Sequence, residues 1–260
     1  MVKGLTRFRD YFADYKDCYV LIGGVALWLV MDDAGLEPRV TRDLDIVLCI
    51  EALDSGFAAL FWQFVNEGGY QIQEKSSGEK TFYRFSKPSE PDYPDMLELF
   101  SRNPDEMVLG DDSHLTPIPV AEDVSSLSAI LLDDDYYEFL HANATELDGV
   151  PVIDEGCLIP FKAKAWLDMT DRKAAGGQVD SKDIKKHRGD VLRLYQILDP
   201  ERSIPLPETI ANELASFLSR VRSEIDGNVL KGIGIKGVSP DEVLGTISSV
   251  FGVSMTGSEE

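Results

Sequence analysis

The chain has 260 residues, of which 43% are hydrophobic and 27% charged, as in a folded protein with one large or two modest domains. Its net charge of -21 argues against broad, nonspecific affinity for DNA or RNA, because phosphate contacts require lysine and arginine. No apolar run approaches the roughly 20 residues of a membrane-spanning helix, and charged residues follow Met1 where a signal peptide would be apolar. We therefore expect a cytoplasmic protein that binds no membrane.

The first half of the chain alternates predicted helices and strands. In chain order, the pattern predicts a short polar helix over residues 5–17, a strand at Tyr19–Ile22, a buried helix over 25–33, a strand over 43–50, a helix over 53–66, two strands over 70–74 and 81–85 joined by a turn at 76–78, and a strand at Met96–Phe100. This alternation predicts an α/β (α+β) fold with a small mixed sheet.

The second half is predicted to be mostly helical. Helices are expected over residues 124–132, 136–141, 158–172 and 181–198, from Pro207 to about Glu224, and from Pro240 onward, where Ser239 and Glu242 form a capping box. We place a catalytic core in residues 1–110 and a helical C-terminal domain in 111–255. The small, polar residues 256–260 are expected to be a disordered tail.

Two aspartates define the first candidate site. Asp43 and Asp45 flank Leu44 in a predicted strand, so both carboxylates point to one side, about 7 Å apart along the strand. Carboxylate oxygens are ligands that Mg²⁺ (or Mn²⁺) prefers. Because paired acids on a buried strand repel and lose hydration, a cation is expected to compensate them.

Glu98 is the predicted third ligand, since it lies alone among apolar residues in its strand. If this strand pairs beside the Asp43 strand, three carboxylates converge, which is a geometry for two-metal phosphoryl transfer. The competing interpretation is an edge-strand acid that faces water. Asp95, at the start of the same strand, is a weaker candidate.

Gly23 and Gly24 precede a predicted helix. Glycines let a backbone approach a phosphate closely, and the start of a helix offers free N–H groups. Arg39, Thr41 and Arg42 lie just before the aspartates, where they could contact phosphate or orient the metal site. Taken alone, a glycine pair is often only a tight turn, and an Asp-x-Asp segment is common in loops. Their combination in matching helix and strand context favours a catalytic site.

These motifs resemble a known family. The pattern Gly23-Gly24, then Arg39-x-Thr41-x-Asp43-Leu44-Asp45-Ile46, then Leu97-Glu98-Leu99 is similar to the DNA polymerase β-like nucleotidyltransferase superfamily. Within it, the chain most resembles the AbiEii/AbiGii-type nucleotidyltransferases, the toxin family of bacterial abortive-infection systems. Segments 158–168 and 181–191 resemble the helical lysine and aspartate motifs of that family.

The resemblance implies a nucleotidyltransferase fold and metal-dependent transfer of a nucleoside monophosphate from an NTP. Asp43 and Asp45 would bind the metal, and Glu98 would complete the site or help deprotonate the acceptor. Lys164 would steady the triphosphate, with Lys162 as the competing choice, and Asp190 would match the helical aspartate of the family.

The sequence does not identify the acceptor, for which a tRNA, a protein and a small molecule are the candidates. The family suggests the toxin of a toxin–antitoxin pair, with a cognate antitoxin as its partner. The alternative is a catalytically silent, antitoxin-like module of the same fold that binds a nucleotide or a partner protein without turnover.

Overall fold

The computed structural model describes residues 2–49, 52, 55–74, 80–100 and 133–255. These residues divide into two compact units. The first comprises those within Met1–Tyr137 and Ala144–Asp154, and the second those within Glu138–Asn143 and Glu155–Glu260. The predicted boundary at 110/111, the predicted helix over 124–132, the turn at 76–78 and the tail 256–260 lie outside the described residues.

A mixed sheet of seven described strands forms the centre of the first unit, in the order β3-β4-β5-β2-β1-β7-β6. The strands are β1 (Tyr19–Ile22), β2 (Asp43–Leu48), β3 (Gln71–Glu74), β4 (Lys80–Ser86), β5 (Met96–Phe100), β6 (Ala144–Leu147) and β7 (Val150–Ile153). The pairs β2–β5 and β1–β7 are parallel, and the remaining neighbours are antiparallel. The predicted α/β class with a mixed sheet is confirmed.

Three described helices belong to this unit: α1 (Leu5–Tyr11), α2 (Gly23–Asp33) and α3 (Ser55–Glu67). The predicted helix over 5–17 is two pieces, because the chain leaves α1 and continues as a 3-10 helix at Ala13–Cys18 with non-helical geometry at Tyr15. Apolar side chains hold the first turns in place. Phe8 and Phe12 are buried, and both pack against Phe64 of α3.

The second half of the described chain contains six α-helices. They are α4 (Asp134–Ala142), α5 (Glu155–Ala174), α6 (Ser181–Leu194), α7 (Glu208–Val221), α8 (Gly227–Gly232) and α9 (Pro240–Val250). The division between the two units falls inside α4, and the helices after it belong to the second unit. The predicted mostly helical character of this half is confirmed. Among the helices described in either unit, none is both long and apolar enough to cross a bilayer.

A β-hairpin interrupts this helical half, and the sequence analysis above does not predict it. Strands β6 and β7 pair with each other, and Val152 of β7 pairs with Leu21 of β1. Asp148 and Gly149 connect the strands, both with positive φ (49° and 79°). An Asp-Gly pair is a strong signal for the two-residue turn that needs positive φ at both positions. Residues 144–153 therefore extend the sheet of the first unit.

Candidate functional site

The strand register places four residues in one row across the sheet. Ile22 of β1 pairs with Asp45 of β2, Asp45 pairs with Glu98 of β5, and Glu98 pairs with Arg84 of β4. Register partners on neighbouring strands point to the same face, with their Cβ atoms about 5 Å apart. The row (Ile22, Asp45, Glu98 and Arg84) thus gathers two acids and one arginine on one face.

Asp43 lies two residues before Asp45, so its side chain points to the face that carries the row. Asp43 and Asp45 are half-buried, while Leu44 between them is buried on the other face. The alternation predicted from the sequence is therefore present in β2. The pairing of β2 with β5, on which the convergence of Glu98 depended, is present as well.

The glycine pair is pressed against the aspartate strand. Gly23 has φ +64°, and a Cβ added there would lie 1.9 Å from Oδ2 of Asp45. The backbone N–H of Gly24 donates to the same Oδ2 at 3.3 Å. Both glycines begin α2, so this carboxylate contacts the N-terminus of that helix. No other residue type could bring the backbone this close without moving Asp45.

Two further predicted residues lie beside the glycine pair. A Cβ added at Gly24 would be 2.6 Å from Oγ1 of Thr41 and 3.4 Å from Nη2 of Arg39. The structure therefore brings together Gly23, Gly24, Arg39 and Thr41 with Asp45. A hydroxyl and a guanidinium at the start of a helix are suitable donors for phosphate oxygens.

Glu98 has a partner that the sequence analysis missed. Nε of Arg84 donates to Oε1 of Glu98 at 3.0 Å, and Nη2 of Arg84 donates to the same oxygen. Glu98 is only 8% exposed, so a charge-assisted contact of this kind compensates its lost hydration. The signal in the sequence was an arginine inside the strand that precedes β5.

The side chains of this site supply only some of the ligands that a divalent ion needs. Within the described residues, no three His, Cys, Asp or Glu side chains form a group that could hold a metal ion. Asp43 and Asp45 offer two carboxylates on one face, and such a pair fits Mg²⁺ or Mn²⁺ when phosphate oxygens and water complete the shell. For Glu98, the structure shows an arginine partner instead.

The predicted lysine and aspartate residues belong to the second unit. Nζ of Lys162 lies 3.4 Å from Oδ2 of Asp190, and Nη1 of Arg193 lies 3.6 Å from Oδ1. Lys162 and Asp190 are both buried. The lysine that accompanies Asp190 is therefore Lys162 and not Lys164.

Lys164 forms ion pairs of its own, with Glu213 and, at 3.5 Å, with Asp168. Burial acts against its charge, but the hydrogen bond to Glu213 and the nearby carboxylates hold the pKa of Lys164 above its ordinary value. Lys164 is thus a fully charged residue with acidic neighbours inside its own unit. Its predicted contact with a triphosphate stays a prediction.

Comparison with known proteins gives one distant structural likeness. No family model matches the chain, and no curated protein matches it. The fold is similar to the crystal structure of an antigenic nucleotidyltransferase-like protein from Paracoccidioides brasiliensis, with 14% identity over 89% of this chain and 93% of that chain and a TM-score of 0.48.

Proposed function

We propose that the first unit binds a nucleoside triphosphate and transfers its nucleoside monophosphate to an acceptor, as a nucleotidyltransferase that depends on Mg²⁺ or Mn²⁺. The observation that carries the proposal is the contact of Gly23 and Gly24 with Asp45. A glycine pair at a helix N-terminus is suited to phosphate oxygens. Asp43 and Asp45 on the same face are suited to the ion that accompanies a triphosphate.

Each residue of the site has a chemical task in this proposal. In this proposal the triphosphate lies at the start of α2, where Gly23 and Gly24 leave room for Asp45 and Thr41 beside the backbone, and Arg39 and Thr41 donate to its oxygens. Asp43 and Asp45 would hold the divalent ion, which supplies charge neutralisation at the phosphates. In the reaction, an acceptor hydroxyl loses its proton to water as its oxygen bonds to the α-phosphorus, the bond from that phosphorus to the bridging oxygen breaks, and pyrophosphate leaves.

The finer parts of the proposal rest on the motif resemblance. They are membership of the AbiEii/AbiGii type, a cytoplasmic toxin with a cognate antitoxin, and a tRNA, protein or small-molecule acceptor. Lys164 and Asp190 belong here as nucleotide-binding residues. Lys162 remains the competing choice to Lys164, and its ion pair with Asp190 places that lysine beside the aspartate of the second motif.

A transfer assay tests the proposal. The protein is incubated with each α-labelled NTP, Mg²⁺ and cell extract, and label on RNA, protein and small molecules is counted. We expect Asp43→Asn and Asp45→Asn to lower labelling by about 100-fold or more. Asp32→Asn, at an exposed aspartate after the same glycine pair, serves as the matched control and keeps full labelling. Equal labelling by all variants would contradict the proposal.

The ion pair of Glu98 with Arg84 favours a second candidate, a module that binds nucleotide without turnover. A carboxylate that is committed to an arginine leaves fewer groups for metal and proton chemistry. Calorimetry that shows NTP binding, together with no pyrophosphate release in any extract, would support this candidate. Pyrophosphate release that depends on Asp43 would exclude it.

A further inference from the structure

The ion pair between Arg84 and Glu98 has no role in the transfer reaction proposed above. Both residues lie in the row that contains Asp45, and Glu98 is the direct register partner of Asp45. An acid in this position can take part in the chemistry, as a metal ligand beside Asp45 or as a base for the acceptor. Its second role would be to fix the arginine on its other side.

The contacts favour the second role. Two nitrogen atoms of Arg84 donate to Oε1 of Glu98. The side chain of Glu98 is 11% exposed, whereas that of Arg84 is 33% exposed. The carboxylate therefore has the arginine as its partner, and about a third of the Arg84 side chain remains exposed. A planar guanidinium held by a carboxylate is a pre-organised donor for phosphate oxygens.

The charges agree with this assignment. Asp43, Asp45 and Glu98 carry three formal negative charges, and Arg84 together with Arg39 beside the glycine pair carries two positive charges. One divalent ion therefore brings this group to +1, and two ions would bring it to +3, before the triphosphate is counted. The fixed guanidinium thus supplies part of the positive charge that a second ion supplies in two-metal phosphoryl transfer.

We propose that Glu98 is a positioning residue for Arg84 and not a metal ligand, and that Arg84 binds the triphosphate in a site that takes one divalent ion. This inference rests on the proposed function of the same site. It assigns Arg84 a substrate contact and separates the role of Glu98 from that of the two aspartates.

Metal counting tests the inference without turnover. Mn²⁺ binding is followed by the electron paramagnetic resonance signal of free Mn²⁺, with a non-hydrolysable α,β-methylene ATP, GTP, CTP or UTP present. We expect a single Mn²⁺ per chain in the wild type and in Glu98→Gln, with affinities within about threefold. In Asp45→Asn the Mn²⁺ affinity is expected to fall about tenfold or more, a loss of 1.4 kcal/mol.

Nucleotide affinity tests the role of Arg84. We expect Arg84→Met to weaken binding of the best analogue about tenfold or more, both with Mn²⁺ and without it. The matched control is Arg9→Met, because Arg9 also pairs with an acid, Asp148, and has a similar side-chain exposure of 27%. This control is expected to keep wild-type affinity.

Removing Arg84 alone leaves Glu98 buried without that partner and could unfold the chain. The double variant Arg84→Met/Glu98→Gln also removes the negative charge of Glu98, and circular dichroism verifies its fold. It should bind the analogue as weakly as Arg84→Met does, and keep the single Mn²⁺.

Two results would overturn this inference but not the proposed function. The first is that the wild type binds two Mn²⁺ ions and Glu98→Gln loses one of them. The second is that the double variant binds the analogue with wild-type affinity. If Mn²⁺ and nucleotide binding are independent of Asp43 and Asp45, the proposed function fails as well. The Asp45→Asn measurement therefore separates the two failures.

Discussion

Gly23 shows how one residue couples backbone conformation to the site. Its φ of +64° strains any other L-residue, and an added Cβ would collide with Asp45. We expect Gly23→Ala to lower the free energy of unfolding by more than the roughly 1–2 kcal/mol of the backbone strain alone. It should also abolish the rise in melting temperature that Mn²⁺ and an NTP analogue cause.

Gly35 provides the matched control for this substitution. Its φ is +70°, but an added Cβ would meet nothing within 4 Å. Gly35→Ala should carry the same backbone strain, about 1–2 kcal/mol, and leave the ligand-induced thermal shift intact. Equal loss of that shift in both variants would show that the contact with Asp45 is unimportant.

Tyr11 gives a prediction for alkaline pH. Burial and the neighbouring Glu67 carboxylate raise the pKa of Tyr11 from 10.0 to about 12. The folded state thus holds the phenol proton more tightly than the unfolded state does. The stabilisation is complete below pH 10 and is lost as the pH rises toward 12. Urea unfolding at about pH 8 and about pH 11 should show a larger loss of stability in the wild type than in Tyr11→Phe. An equal loss in both proteins would refute this assignment.

The residues of the site differ in how far the sequence could predict them. The shared face of Asp43 and Asp45 was predictable, because side chains alternate along a strand and residues i and i+2 point to the same side. Glu98 lies beside Asp45 because β2 and β5 pair in parallel. The sequence predicted both strands, and their pairing was an assumption. The contact of Glu98 with Arg84 was not predicted, because it depends on the register of a third strand.

The start of α9 shows a helix end that the sequence specifies fully. Ser239 Oγ accepts a hydrogen bond from the backbone N–H of Glu242 at 3.2 Å, and Pro240 follows at the first helical position. We expect Ser239→Ala to lower the free energy of unfolding by about 1 kcal/mol, because that N–H loses its cap. Chemical denaturation measures this loss. Ser254→Ala, at an exposed serine after the helix, should change it by less than about 0.5 kcal/mol.

Helices and strands with an extended apolar repeat were predicted well. Elements that depend on a short local signal, such as a turn, were predicted poorly. The strands of the first half and the long helices of the second half have clear apolar patterns. The break after α1 has no proline and no helix-ending glycine, and packing of Phe12 in the aromatic core accompanies it. The hairpin β6–β7 was missed because β6 is largely exposed and has no apolar alternation, although Asp148 and Gly149 mark its turn.

At the scale of the whole molecule, the hairpin determines whether the sheet of the first unit is complete. Val152 is fully buried where β7 pairs with β1. We expect Val152→Asp to lower the free energy of unfolding by about 3 kcal/mol or more, because it buries an unpaired charge. Nucleotide binding should weaken with it, since β1 leads directly into Gly23.

Thr145 provides the control for Val152. It is the register partner of Val152 on β6, but it is exposed. Thr145→Asp should change the free energy of unfolding by less than about 0.5 kcal/mol. Chemical denaturation followed by circular dichroism compares the two variants. If both are destabilised equally, the hairpin as a whole is sensitive and burial at Val152 is not the cause.

The pairing of Leu21 with Val152 also fixes the order of events during synthesis. One side of β1 has no strand partner until more than a hundred further residues have left the ribosome. Contacts of such long sequence separation form slowly, and strand edges exposed during the wait invite aggregation. The strand that leads into the glycine pair is therefore completed late, and a nascent chain is expected to acquire its nucleotide site only after the Asp148–Gly149 turn has emerged.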